Sequence, residues 1–348
     1  MADAASGLLT DLLKLVSRSF YLTMRVLPAA IRPQIGLAYL LARTADTIAD
    51  TQIVPPAERL RALQSLRERI AGNSPALLDF GELANHQGSP AEQSLLERVE
   101  EALWILEQFS EEDRKLIREV LAVITSGQEL DLQRFAEAAR DRIVALNTDD
   151  ELDDYTYRVA GCVGEFWTKM CRAHLFPDAP LDDMFLLENG VRFGKGLQLV
   201  NILRDLPLDL RQGRCYLPGE RLWAVGLTPF DLLDPNNAPK LRALYQAYLN
   251  QAREHLAAGW NYTLTLPRSS ARVRLACAWP ILIGVQTIEK LRASNVLAPE
   301  LHIKISRADV RKIMFRTVVY YPWPGAWTRL FARPEPAGNK VDSAIPLG

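Results

Sequence analysis

The chain has 348 residues, 48% hydrophobic and 24% charged, with 41 Lys and Arg against 42 Asp and Glu for a formal net charge of −1. That length supports one large domain or two smaller ones, and the even charge offers no basic surface for nucleic acid. No apolar run reaches membrane-spanning length and no signal-peptide layout opens the sequence, so the expectation is a soluble, cytoplasmic protein.

In chain order the apolar spacing is helical almost throughout, and no stretch reads as a strand. Leu8 to Leu27 carries apolar residues at helical spacing and ends in LPAAIRP, where Pro28 and Pro33 mark a turn. Pro33 to Asp50 is the next helix, and Pro55-Pro56 opens another that runs to about Ile70. Gly72 to Pro90 reads as a polar, broken connection. Further helices are expected over 91–109, 111–146 with a kink at Gly127, 150–175, 181–206, 237–264, 269–294 and 307–319. Nothing divides the chain, so residues 1–348 are expected to form a single all-α domain with an aromatic tail over 319–348. Cys162, Cys171, Cys215 and Cys277 lack metal-ligand spacing and read as reduced core thiols, and four dispersed histidines argue against zinc.

Two short motifs carry chemistry. In QLVNILRDLPLDLRQGRCYLP (Gln198–Pro218), Asn201, Asp205 and Asp209 recur every four residues and so share one helix face. Arg204, Arg211 and Arg214 are interleaved with them. In LARTADTIADT, Asp46 and Asp50 repeat the spacing with Arg43 one turn earlier, among residues apolar enough to be buried. Paired buried carboxylates repel unless a cation lies between them, and hard oxygen ligands suit Mg²⁺ shared with phosphate oxygens. Arginines offer forked donors to the same phosphates. Taken alone, either pair also reads as a solvated helix end. Together they point to a metal–diphosphate site in a cavity between two DxxxD helices.

With these residues in place, the chain resembles the squalene/phytoene synthase family of head-to-head prenyl transferases over roughly residues 14–318. SRSF (Ser17–Phe20) is similar to the family's N-terminal diphosphate-binding signature, and YLLARTADTIAD (Tyr39–Asp50) to its first aspartate-rich motif. YTYRVAGCVG (Tyr155–Gly164) is similar to its Y-x-x-x-VAG-x-VG segment, and NILRDLPLDLRQGRCYLP to its second aspartate-rich motif.

The resemblance implies the isoprenoid-synthase helical bundle with an apolar tunnel beside the metals. It implies two farnesyl diphosphates held by Mg²⁺ (or Mn²⁺) on Asp46, Asp50, Asp205 and Asp209, with Ser17, Arg18, Arg43, Arg204, Arg214 and Tyr216 as diphosphate donors. Tyr155 matches the tyrosine implicated in first-step proton handling, and Tyr39 would lie near the leaving group; packing is the other reading of both. The C-terminal CAWPILIGVQTIEKLRASNVL and HIKISRADVRKIM look more like squalene synthases, with Asn201, Lys304 and Arg307 as candidate NADPH contacts. GQELDL (Gly127–Leu132) also resembles phytoene synthases. Squalene by NADPH reduction is therefore the leading expectation, with dehydrosqualene or phytoene formation and a non-catalytic isoprenoid-binding role as alternatives.

Departures from the pattern set further expectations. Ala49 and Leu208 stand where glutamate is common, and Ala276 stands where an aromatic often precedes C-A-x-P, with Trp279 close by. Pro207 is expected to kink or end its helix and to shift Asp209. VVYYPWPGAWTRLF (Val318–Phe331) is read either as peripheral membrane contact or as a clasp over the core. A monomer is the favoured oligomeric state.

Overall fold

The computed structural model describes residues 8–17, 20–298 and 303–332 of the chain. A π-helical turn, Leu8–Leu12, leads into α1 (Leu13–Val16), followed by α2 (Phe20–Val26), α3 (Arg32–Asp50) and α4 (Pro56–Ala71). Short α5 (Gly81–Asn85), α6 (Pro90–Glu97) and α7 (Val99–Leu106) precede the long α8 (Glu111–Arg134). Next come α9 (Asp149–Thr156), a π-helical turn (Tyr157–Gly161), α10 (Cys162–His174) and α11 (Asp183–Arg211). After α12 (Gly219–Ala224) and two 3-10 turns, α13 (Ala238–Thr265), α14 (Ala271–Arg292), α15 (Arg307–Tyr320) and α16 (Pro324–Thr328) complete the bundle. The all-α expectation holds, with one exception among the described residues: a two-residue parallel pair, β1 (Val144–Ala145) with β2 (Arg214–Cys215).

Three boundaries differ from the sequence reading. The 111–146 helix stops at Arg134, without a break at Gly127, because residues 144–145 pair with the segment after α11. That segment turns through Gly213 at φ +80°, where a side chain would collide with the Ala139 backbone 2.4 Å away. The 91–109 helix breaks at Arg98, whose φ −104° and ψ 18° re-aim Val99, Ala102 and Leu103 into the core. The helix holding Pro207 does not end there, and α11 runs through it to Arg211. Proline cannot donate to the Leu203 carbonyl one turn earlier, but the buried Tyr245 hydroxyl of α13 donates to it instead at 2.8 Å.

The glycines of the VAG-x-VG segment have a packing role. A Cβ on Gly164 would lie 1.8 Å from the Gly190 carbonyl oxygen, and one on Gly194 would lie 2.1 Å from that of Ala160. The start of α10 and the middle of α11 therefore cross in backbone contact. Apolar side chains form two core halves, one joining α3, α4, α7, α8 and α10, the other joining α11, α13, α14 and the C-terminal segments. All four cysteines are buried free thiols, and burial pushes Cys162, Cys215 and Cys277 up to about 12.

Candidate active site

A cavity of about 390 Å³ opens between the two core halves. Its wall is largely apolar, with Ile35, Ile124, Phe166, Trp167 and Phe193 among the lining residues, while Asp46, Gln128, Gln198 and Asn201 form a polar rim. The α10–α11 glycine crossing builds part of this wall through Gly164, Gly190 and Gly194.

The first acidic pair lies on α3, whose apolar residues from Leu37 to Ile48 bury one face and turn the other toward the cavity. Asp46 lines the cavity with its side chain 48% exposed and in contact with Gln128 of α8. Burial and the neighbouring Asp50 push its carboxyl up to about 7, against the opposing pull of Arg43 and a hydrogen bond from Gln128. Arg43 lies 3.9 Å from Asp46 and is held by Glu92 at 2.5 Å. Burial also raises Asp50, a rise opposed by Arg214, Arg43 and Arg59.

The second pair lies on α11. Arg204 forks onto Asp205, with Nε 2.8 Å from one carboxylate oxygen and a second nitrogen 2.5 Å from the other. Asp209 is pushed up to about 7 by burial and by Asp205, against the pull of Arg214. Asp50 and Asp131 add to the negative field at Asp209, so the ends of α3 and α11 share one acidic pocket. Gln52 and Gln212, just past the two pairs, hydrogen-bond at 3.3 Å.

Three residues complete the site that the motifs did not single out. Asp131, on α8, accepts from the Tyr216 hydroxyl at 3.2 Å and pairs with Arg214 at 3.3 Å. Burial raises its carboxyl to about 6, partly offset by Arg214. Gln128, one turn earlier, donates to Asp46. Arg59 of α4 donates to the Ala49 carbonyl at 2.5 Å and adds positive charge near Asp50. The only sequence signal for Asp131 was its place in the GQELDL run.

The remaining candidates divide. Tyr155 stacks on Tyr216 with ring centroids 4.6 Å apart, so both sit beside Asp131 and Arg214. Tyr39 lines the cavity and donates to the Val16 carbonyl at 3.3 Å. Ser17 is buried near this end, and its hydroxyl has no partner among the described residues. Arg18 lies outside the described residues. Asn201 lines the cavity, whereas Lys304 and Arg307 are exposed and absent from its lining, so these three are not brought together. Ala276 lines the cavity; Trp279 instead points its indole N–H at Thr317, 2.9 Å away on α15.

The donor set suits a hard divalent cation. Burial first, and then the neighbouring carboxylate, makes Asp46 and Asp209 hold their protons unusually tightly, and a cation between the paired carboxylates would offset both. Among the described residues no three acidic, histidine or cysteine groups converge on one point. Each aspartate pair therefore provides part of a coordination shell that phosphate oxygens and water would complete, as Mg²⁺ prefers.

The chain is similar in sequence and in fold to known proteins. The family described as squalene/phytoene synthase matches residues 13–309. A presqualene diphosphate synthase of Rhodopseudomonas palustris is 28% identical over 304 residues, covering 86% of this chain and 93% of that protein. One from Zymomonas mobilis is 31% identical over 242 residues, 70% of each chain. A bifunctional lycopene cyclase/phytoene synthase of Colletotrichum graminicola is 30% identical over 247 residues, 69% of this chain but only 39% of that longer protein. Among solved structures, a TcSQS–ligand complex aligns with a TM-score of 0.74 at 21% identity, covering 95% of this chain and 92% of that one. A dehydrosqualene synthase aligns with a TM-score of 0.65 at 19% identity, covering 92% and 98%. These structural matches speak to the shared fold.

Proposed function

Because the chain belongs to the squalene/phytoene synthase family, we propose that it joins two farnesyl diphosphates head to head, giving the cyclopropyl compound presqualene diphosphate. One observation carries this reading: Asp46 of the first aspartate pair lines an apolar cavity, and the ends of both acidic helices, with arginines beside them, share one negative field. Ionising an allylic diphosphate requires stabilising the charge that builds on the leaving group while keeping water from the carbocation.

The residues divide that work. Asp46, Asp50, Asp205 and Asp209 would hold Mg²⁺, which when bound neutralises diphosphate charge as a Lewis acid. Arg43, Arg204 and Arg214 would donate to the same oxygens. Ile35, Ile124, Phe166 and Phe193 enclose the prenyl chain and exclude water. Tyr39 on the cavity wall would present its ring to the prenyl chain, and Tyr155 would act from beside Asp131 and Arg214.

A second reading carries the product on to squalene with NADPH, and Asn201 on the cavity wall favours it. Lys304 and Arg307 give it no support in their exposed positions. Incubation with farnesyl diphosphate and Mg²⁺, with and without NADPH, followed by mass spectrometry, separates the outcomes. Presqualene diphosphate in both tubes supports the first reading, and squalene only with NADPH supports the second. Dehydrosqualene in both would assign proton loss, and turnover of geranylgeranyl diphosphate alone would reassign the chain to phytoene formation. No turnover of either substrate would leave a non-catalytic isoprenoid-binding role.

A further inference from the structure

Val120, Ile124 and Gln128 of α8 recur every four residues and line the cavity together, so an amide stands where the stripe calls for another hydrocarbon. Gln128 is only 6% exposed. A buried amide is costly unless both of its ends are hydrogen-bonded, and this one uses a single end. Its Nε2 donates to one oxygen of Asp46, 82 positions earlier in the chain. Its Oε1 is buried with no partner among the described residues. The orientation follows from the chemistry, because an ionised carboxylate only accepts and must be met by the amide nitrogen. The second oxygen of Asp46 has Arg43 3.9 Å away, beyond hydrogen-bond reach, and that arginine is drawn to Glu92 at 2.5 Å.

We propose that Gln128 is a positioning residue for the cation at the first aspartate motif: its amide N–H ties one oxygen of Asp46 to α8 and leaves the other for the metal, while its amide oxygen accepts from a donor that the hydrated cation brings. This rests on the reading above that Mg²⁺ and diphosphate bind at the aspartate pairs. A carboxylate already held in place loses less freedom when the cation arrives, so the site is assembled before its ligand is bound. Mg²⁺ keeps several of its waters, and each of them is a donor suited to a buried carbonyl oxygen. The ionised oxygens of a diphosphate only accept and cannot fill that place.

Gln128→Met keeps the length and bulk of the side chain and removes both polar ends. Mg²⁺ is titrated calorimetrically into wild-type and Q128M protein with inorganic diphosphate, which undergoes no condensation, and melting curves without metal confirm the fold. Mg²⁺ affinity is expected to fall about tenfold or more, the size usual when the group holding a metal-binding side chain is removed. The melting temperature without metal should hold or rise, because an unpartnered buried acceptor is gone. In turnover of farnesyl diphosphate, the Mg²⁺ concentration giving half the maximal rate should rise by a similar factor. Saturating Mg²⁺ should bring kcat back to within about threefold of wild type. Gln128→Leu, which continues the apolar stripe, should behave in the same way. A side chain that only fills space would leave the Mg²⁺ requirement where it was. Wild-type Mg²⁺ affinity in both variants, or a loss confined to the KM for farnesyl diphosphate, would overturn the proposal. Wild-type protein that binds no Mg²⁺ with diphosphate would instead refute the metal reading beneath it, an outcome visible before any variant is made.

Discussion

At the residue scale, the charge balance of Asp46 decides how the site behaves without its cation. Burial and Asp50 raise its folded pKa to about 7, well above the value it has in an unfolded chain. Between those values the folded state holds the extra proton, so its contribution to stability falls as pH rises through that window. Asp46→Asn removes the penalty. Its melting temperature without metal should exceed that of wild type more at pH 8 than at pH 5, and adding Mg²⁺ with diphosphate should narrow the gap. The same substitution should lower turnover by about 100-fold or more, since it removes electrostatic help to the leaving group. Wild-type turnover in the D46N variant would refute the metal assignment. The acidic pairs were legible in the sequence because four-residue spacing is a strong local signal. Gln128 and Asp131 showed only as members of the GQELDL run and Arg59 not at all, because they reach the site from α8 and α4 through packing.

At the element scale, Pro207 shows why helix ends resist reading from sequence. Proline removes a donor, and a local rule predicts a break, but Tyr245 from α13 supplies the missing donor across 42 positions of sequence. Tyr245→Phe would leave the buried Leu203 carbonyl without that partner, and the expected loss is about 1–3 kcal/mol of stability. It should also disturb the Asp205–Asp209 spacing and lower turnover, which calorimetry and the product assay would report together. If both stayed at wild-type levels, the proline would be tolerated for another reason. The strand pair at residues 144–145 and 214–215 was similarly unreadable, since two residues carry no periodicity. The long helices α3, α13 and α14 were read nearly to their ends.

At the scale of the whole molecule, the C-terminal aromatic segment clasps the core. Trp327 is 2% exposed, stacks on Trp260 at 4.8 Å and lies under the Arg274 guanidinium, also 4.8 Å away. Trp327→Ala should cost about 3–5 kcal/mol, visible as a lower denaturation midpoint. A different face of the same region remains apolar and exposed, with Phe315, Val318 and Trp323 beyond Arg311 and Lys312 on α15. Peripheral membrane contact was one of the two sequence readings of Val318–Phe331, and basic residues beside an exposed apolar face would favour an anionic bilayer. Phe315→Glu should then reduce flotation with anionic liposomes, and unchanged flotation would end that idea. The single bundle and its two facing acidic helices were legible because amphipathic spacing sets which faces meet. The cavity's depth was not, because it depends on Phe166, Trp167 and Phe193 meeting from two separate helices.

The burial of all four thiols has a practical side. Reagents that attack thiolates at neutral pH will find almost none, since burial keeps these sulfurs protonated and out of reach. A single cysteine introduced on an exposed helix face would therefore take up a fluorophore or spin label selectively. The native chain could be tracked optically without first removing any of its own sulfur atoms.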